Sequence, residues 1–434
     1  MLRGVGMYGD ERDAKLDIVT RAGRIVAVTA AGETEGAEVV DLDGLQALPG
    51  VIDAHTHPIH DETFESVGAA APRGGVTTAL HHLYPEPGEP YADAVARATA
   101  SARLGQADYG FHVRITPDRL PEGLAALAPL SPVVGAKLFL AHSDPSVMSS
   151  YGDLYTALRQ ARDAKVRIVV HAELGEVLNL HEKVVGDYAD LDAFQAARPT
   201  SLEAAAVATV GAIAEMTNGP VYIAHVSAPE ALDVARAARD RGVDIAVESC
   251  PHYFFLDATA PLGGLGRVTP PLRRPEKAAA MRDAISRGGS VDVMGSDHCG
   301  YGEHEKFADD VTASSNGLPG IELMLPLFLD AAASPDSWVT PRRVVELLCE
   351  GPARTFGITR KGRIAPGFDA DLTLVDPAGS WTVDGGALAD RSFYSPYHGR
   401  TLKQRIERVY RRGEQIYSYQ DDVTGGEGAP VAKA

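Results

Sequence analysis

Cysteine is scarce in this 434-residue chain: Cys250, Cys299 and Cys349 are widely spaced, and no CxxC pair occurs. An odd, scattered trio excludes a disulfide framework and accords with a reducing cytoplasm. Basic charge is also in short supply. Lys and Arg number 41 against 59 Asp and Glu, a net charge of -18, so nucleic acid and anionic membrane surfaces are not expected partners, because phosphates would be repelled. The most basic short stretch, "RIERVYRRGE", is broken by two glutamates and reads as an exposed alternating strand. Long apolar runs are missing too. The opening "MLRGVGMYGDERDAK" holds neither a signal-peptide core nor a membrane-spanning run, so a cytoplasmic location is expected. There is no internal repeat of solenoid or propeller period.

What is present is the composition of an ordinary globular protein, 45% hydrophobic and 23% charged, with room for one large domain and a smaller one. Residues 14–40 are strand-like, with a glycine-marked turn between two β-rich runs. From about Pro49 to Phe356, short apolar runs alternate with alanine-rich helical segments. The runs "GVIDAHTH", "GVTTALHH", "YGFHVRI", "VVGAKLFL", "VRIVVHAE", "PVYIAHVS", "VDIAVES" and "VDVMGSDH" predict eight strands. Helices are expected over Tyr91 to Leu104, Tyr151 to Ala164, Ser201 to Asn218, Ala228 to Arg241 and Pro275 to Gly288. Eight strands apolar on both faces, most followed by a helix, suit a closed parallel (β/α)8 barrel; a doubly wound open sheet is the competing arrangement. After Arg363 the texture returns to β, and the Gly-rich end from residue 421 reads as a mobile tail.

In a parallel barrel the chemistry sits at the C-terminal ends of the strands. His55 and His57 lie two apart, which puts both on one face of an extended strand, about 7 Å apart along the chain. His171, His225 and Asp297 close three other predicted strands. Any one of these histidines alone suits a hydrogen-bonded core position; the set, joined by an aspartate, suits a catalytic metal site. Imidazole and carboxylate donors without thiolate point to Zn, Mn, Fe or Co. Lys137 sits inside the apolar run "VVGAKLFLA", where an isolated ammonium is costly. Burial favours its neutral amine, which can take up carbon dioxide and become a two-oxygen anionic bridge between metals. A snorkelling or ion-paired lysine is the plainer alternative.

The ordered series "PGVIDAHTHP", "GAKLFLA", "IAHVSAPEAL", "ESCPHYFFL", "TPPLR", "GSDHC", "NGLPGIE" and "KGRIAPGFDADLTLVD" resembles the amidohydrolase superfamily, and within it the cyclic amidohydrolases: hydantoinase, dihydropyrimidinase, allantoinase and dihydroorotase. The resemblance implies an α/β fold with a TIM-like (β/α)8 barrel over residues 49–362. Beside it stands a small β-sandwich built from both chain ends, residues 1–48 and 363–420, followed by a flexible 421–434 tail. It implies a binuclear metal hydrolase, most simply of zinc, with His55, His57, carboxylated Lys137 and Asp297 on one ion and Lys137, His171 and His225 on the other. A bridging hydroxide would attack a cyclic amide or imide, with Asp297 shuttling the proton. By the same resemblance Thr269 and Asn316 meet the substrate ring, and the protein assembles as a homo-dimer or homo-tetramer.

Departures from the pattern narrow the subfamily. Ile59 stands where a dihydroorotase carries the arginine for its substrate's carboxylate, so dihydroorotase activity is disfavoured. His142 takes the place of the oxyanion-donating tyrosine of hydantoinases, where an imidazole can donate the same hydrogen bond as a candidate catalytic group or mark a substrate other than an ordinary hydantoin or dihydrouracil. His252, in "ESCPHYFFL", follows the dihydroorotase and allantoinase style and is a candidate substrate contact. Cys299 has no specified base and is not expected to act as a nucleophile. Allantoinase or another amide hydrolase is the enzyme alternative. A metal-poor dihydropyrimidinase-related scaffold is the non-enzyme alternative, disfavoured because all six ligand positions carry competent residues.

Overall fold

A computed structural model describes residues 1–10, 14–33, 38–308, 310–421, 423 and 425–434. Five strands come first: β1 (Leu2–Met7), β2 (Lys15–Arg21), β3 (Arg24–Ala30), β4 (Val40–Asp41) and β5 (Gln46–Pro49). Eight parallel strands follow: β6 (Val51–Thr56), β7 (Val76–Leu83), β8 (Asp108–Arg114), β9 (Val133–Phe139), β10 (Arg167–His171), β11 (Val221–Ile223), β12 (Ile245–Ser249) and β13 (Val293–Met294). They run in chain order, and a parallel bridge between Thr56 and His298 brings the first and last edges together. The barrel is thereby almost closed, and its strands are buried nearly end to end because helices cover the outside and packed side chains fill the inside. The expected helices are present within two residues of their bounds, at Tyr91–Ala102, Tyr151–Ala164, Thr200–Thr217, Pro229–Asp240 and Pro275–Arg287. Among the described residues no helix is long and apolar enough to cross a membrane.

The remaining strands, β14 (Leu372–Thr382), β15 (Thr401–Arg411) and β16 (Glu414–Ser418), join the first five in one mixed sheet of order β16-β15-β14-β5-β1-β2-β3, with β4 beside β1. Both chain ends therefore build the second unit. Its core gathers Leu2, Val5, Ile18, Ile25, Leu372, Leu374 and Tyr410, separate from the barrel interior of Ile52, Leu80, Val134, Val169, Tyr222, Val293 and Phe356. The chain passes from β5 straight into β6 through Gly50, where a Cβ would lie 2.2 Å from Thr77 Oγ1 and 2.9 Å from Asp371 Cβ. Only glycine fits that crossing.

A buried ion network fastens the two units. Lys361 Nζ lies 2.8 Å from Asp108 on β8 and also contacts Asp371, while Arg412 reaches Asp108 at 2.7 Å.

The tail corrects a sequence expectation. Rather than hanging free, residues 428–431 pack against the N-terminal end of β8: Tyr109 N–H donates to Ala429 O at 3.0 Å and Val431 N–H donates to Tyr109 O at 2.9 Å. Val431 is buried with Leu80, Val134 and Phe356 in the barrel floor. Composition alone had hidden this, because one valine flanked by small residues is enough to fill a gap that only the folded barrel creates.

Candidate active site

The pairing register sets which side chains enter the barrel. His82 on β7 pairs with His112 on β8, and Arg114 pairs with Lys137 on β9. Side chains at alternate positions share a face, so His112 and Arg114 rise inside the barrel one above the other, and Gly135, where a Cβ would lie 2.6 Å from His112 Nδ1, leaves room for that ring below Lys137. Apolar residues fill the lower interior and polar ones the mouth. Above the mouth lies a cavity of about 640 Å³.

Two groups of donor atoms converge beneath it. His55 Nε2 lies 2.9 Å from His57 Nε2, and Asp297 Oδ1 is 3.2 Å from the first and 3.1 Å from the second. His171 Nδ1 lies 3.1 Å from His225 Nε2. Lys137 Nζ is fully buried and has no hydrogen-bond partner. All six residues named from sequence thus end at the same mouth. His225 and Asp297 hold their positions with φ of 41° and 50°, left-handed conformations that cost non-glycine residues on the order of 1–3 kcal/mol and gather at functional sites.

Hydrogen bonds behind the donors fix their protons. Glu248 Oε1 accepts from His55 Nδ1 at 2.7 Å, and Tyr222 donates its hydroxyl to Glu248 at 2.5 Å. The carboxylate keeps the His55 proton on Nδ1 and leaves Nε2 a bare lone pair. That lone pair, His57 Nε2 and an Asp297 oxygen share one small space with at most one proton between them. A cation there would satisfy all three, so the donor set fits a metal ion. On the other side Glu173 accepts from His171 Nε2 at 2.9 Å and is itself paired with Arg198 at 2.6 Å.

Titration follows from the same burial. Desolvation lowers Lys137 to about 8 and His57 to about 4. Burial would raise Asp297, yet the imidazoles of His55, His57 and His225 hold it well below the usual carboxylate range. Burial thus favours a neutral His57 ring and eases deprotonation of Lys137, while Asp297 stays ionised, as metal ligation requires.

Outside this centre, His142, Thr269 and Asn316 line the cavity. His142 Nδ1 accepts from Asp144 N–H at 3.0 Å, which places the neutral ring's proton on Nε2. Tyr301 OH donates to Asn316 O at 3.0 Å, so that carbonyl is already shared. His252 is not part of the cavity lining; it sits behind Asp297 with Cys250, the three donor atoms within 4.8 Å of one another. Burial pushes the Cys299 thiol up, so it stays protonated and is a poor nucleophile.

Sequence reasoning missed four residues. His82 is buried, stacks on His57 with ring centroids 4.6 Å apart, and has both ring nitrogens unpartnered. His112 donates to Ala54 O at 3.1 Å just below. Tyr84 shares a 2.6 Å hydrogen bond with His57 Nδ1. Arg114 lies over the Tyr84 ring, 4.9 Å from its centroid. The available signal was period two from the strand ends: in "TALHHLY" Leu80, His82 and Tyr84 share one face and His81 the other, where it meets Thr56 Oγ1 at 2.7 Å.

The amidohydrolase family profile matches residues 47–416. The chain belongs to the amidohydrolase family, in its cyclic amidohydrolase group. A D-hydantoinase of Streptomyces coelicolor is 32% identical to this amidohydrolase, over 100% of this chain and 98% of the relative. An allantoinase of Deinococcus radiodurans is 30% identical, over 96% of this chain and 95% of that one. Among solved structures, the dihydropyrimidinase of Brevibacillus agri superposes with a TM-score of 0.89 at 26% identity, covering 97% of this chain and 95% of that one. The barrel with its attached sheet is the architecture of these amidohydrolases, and the relatives support cyclic amide hydrolysis.

Proposed function

We propose that this protein hydrolyses the C–N bond of a cyclic amide or imide of the hydantoin or dihydropyrimidine type. His55, His57, carboxylated Lys137 and Asp297 would hold one divalent ion and Lys137, His171 and His225 a second. The observation that carries this reading is the unpartnered Lys137 Nζ buried between the two groups of converging donors. An ammonium there has no counterion in contact, whereas a carbamate would have both ions. When bound, such ions supply hydroxide at neutral pH and polarise the substrate carbonyl; zinc suits the donors, and Mn, Fe or Co share them.

The chain's own groups do the rest. Asp297 accepts the proton of the nucleophile and passes it to the leaving ring nitrogen, yielding a ring-opened carbamoyl or ureido acid. His142 Nε2–H donates to the oxygen on which charge develops. Thr269 and Asn316 hold the ring at the cavity wall. Assembly as a cytoplasmic homo-dimer or homo-tetramer belongs to the same reading, as does allantoin as an alternative substrate. A non-catalytic scaffold would have no use for the complete donor set.

The test is to load the full chain with Zn or Mn in bicarbonate and offer hydantoins, dihydropyrimidines, allantoin and dihydroorotate. Ring opening of at least one hydantoin or dihydropyrimidine is expected, with native mass heavier by one carbon dioxide in the parent but not in Lys137→Met. A metal-loaded protein inert to the whole panel would overturn the proposal.

A further inference from the structure

One cation at the cavity mouth has no role in the chemistry above. The cavity is lined by Arg114, Arg198 and Arg267. Arg198 is spent on Glu173 and Glu182, each at 2.6 Å. Arg267 is spent on the backbone carbonyls of Val311, Thr312 and Ser314. The Arg114 side chain has no hydrogen bond or ion pair among the described residues, and its Nε is buried without a partner. The nearby carboxylate of Asp144 is turned to Ser146, accepting from its N–H at 2.9 Å and its hydroxyl at 2.8 Å.

Arg114 also has a fixed neighbour. It ends β8 on the inner face with its guanidinium carbon 4.9 Å from the centroid of the Tyr84 ring, whose hydroxyl is bonded to His57. Tyr84 follows β7, so the guanidinium leans toward that strand and away from Lys137, its register partner on β9. A half-buried guanidinium over an aromatic ring, with no acid in hydrogen-bonding contact, leaves its fork of donors free for a planar anion.

We infer that Arg114 pairs with a carboxylate on the substrate, so that this protein's preferred substrate is a cyclic amide or imide bearing an anionic side arm. The inference rests on the cyclic amide reading above and makes it specific. Ile59 stands where a dihydroorotase carries its carboxylate-binding arginine, whereas Arg114 offers the same fork from another strand and hence from another side of the ring. Guanidinium and carboxylate match in a bidentate plane, which a lysine or an amide cannot reproduce.

Two probes of nearly equal shape test it: hydantoin-5-acetate and its neutral twin, hydantoin-5-acetamide. With metal-loaded parent protein the acetate is expected to be preferred in kcat/KM. Arg114→Gln should lower the acetate-to-acetamide ratio of kcat/KM by about 10- to 100-fold, chiefly through KM for the acetate, and Arg114→Lys should restore part of that ratio. In parallel, calorimetric binding of both probes to the metal-stripped full chain reads the pairing without turnover; Arg114→Gln should weaken only the acetate. Equal loss for both probes, or no change in their ratio, overturns the inference. A loss of metal or of the added carbon dioxide in Arg114→Gln, with the ratio intact, also overturns it, by making Arg114 a partner of Lys137. If neither probe is turned over, the substrate panel above decides the hydrolase reading separately, and the binding arm still decides Arg114.

Discussion

Glu248 and His55 are joined by a 2.7 Å hydrogen bond between carboxylate and Nδ1, both side chains being essentially excluded from solvent. The bond orients the ring and keeps Nε2 unprotonated toward Asp297. Glu248→Gln should therefore weaken metal retention by about 10- to 100-fold. The measurement is metal content by elemental analysis after dialysis against graded chelator. Retention equal to the parent's would show that His55 needs no such partner.

His142 offers Nε2–H to the cavity because its Nδ1 is occupied by the Asp144 amide. Loss of one donor to a developing oxyanion lowers kcat by about 10²- to 10³-fold. His142→Phe should show that loss in kcat at saturating substrate, and His142→Tyr should recover much of it. A His142→Phe enzyme with the parent's kcat would remove His142 from the chemistry.

Glu322 supplies a pH dependence away from the site. Burial, with Asp390 nearby, raises it to about 7 even though the amides of Ala389 and Asp390 donate to it at 2.7 and 3.0 Å. The folded state then holds this proton more tightly than the unfolded chain, so its ionisation costs stability as pH rises from about 4.5 through about 7. Glu322→Gln lacks the cost. Relative to the parent it should gain on the order of 2–3 kcal/mol between pH 4 and pH 8, read from denaturant midpoints across that range. A constant difference across the range would contradict the assignment.

The barrel was legible because burial on both faces leaves a plain mark, apolar runs ending in a polar residue; five of the donors stand at or near those ends, and Lys137 stood out as the one charge inside its run. The floor was not legible. Val431 reads as part of a polar tail until the barrel beneath it exists, and the Lys361, Asp108 and Asp371 cluster joins residues that no local pattern connects. His82 and Arg114 were hidden for another reason. Which of two adjacent histidines faces inward, and whether an arginine ending a strand has an acid nearby, depends on register and on neighbours contributed by other strands.

Strand β5 pairs on one side with β1 and on the other with β14, Pro49 lying opposite Leu372. On the ribosome, at roughly 5–20 residues per second, the partner for that second side emerges only after some tens of seconds. Throughout that wait β5 presents an open edge, a template for pairing with other nascent chains. Yield in a heterologous host should accordingly depend on how well chaperones shield that edge, and slower growth at low temperature, which limits the number of open edges present together, should favour recovery of folded protein.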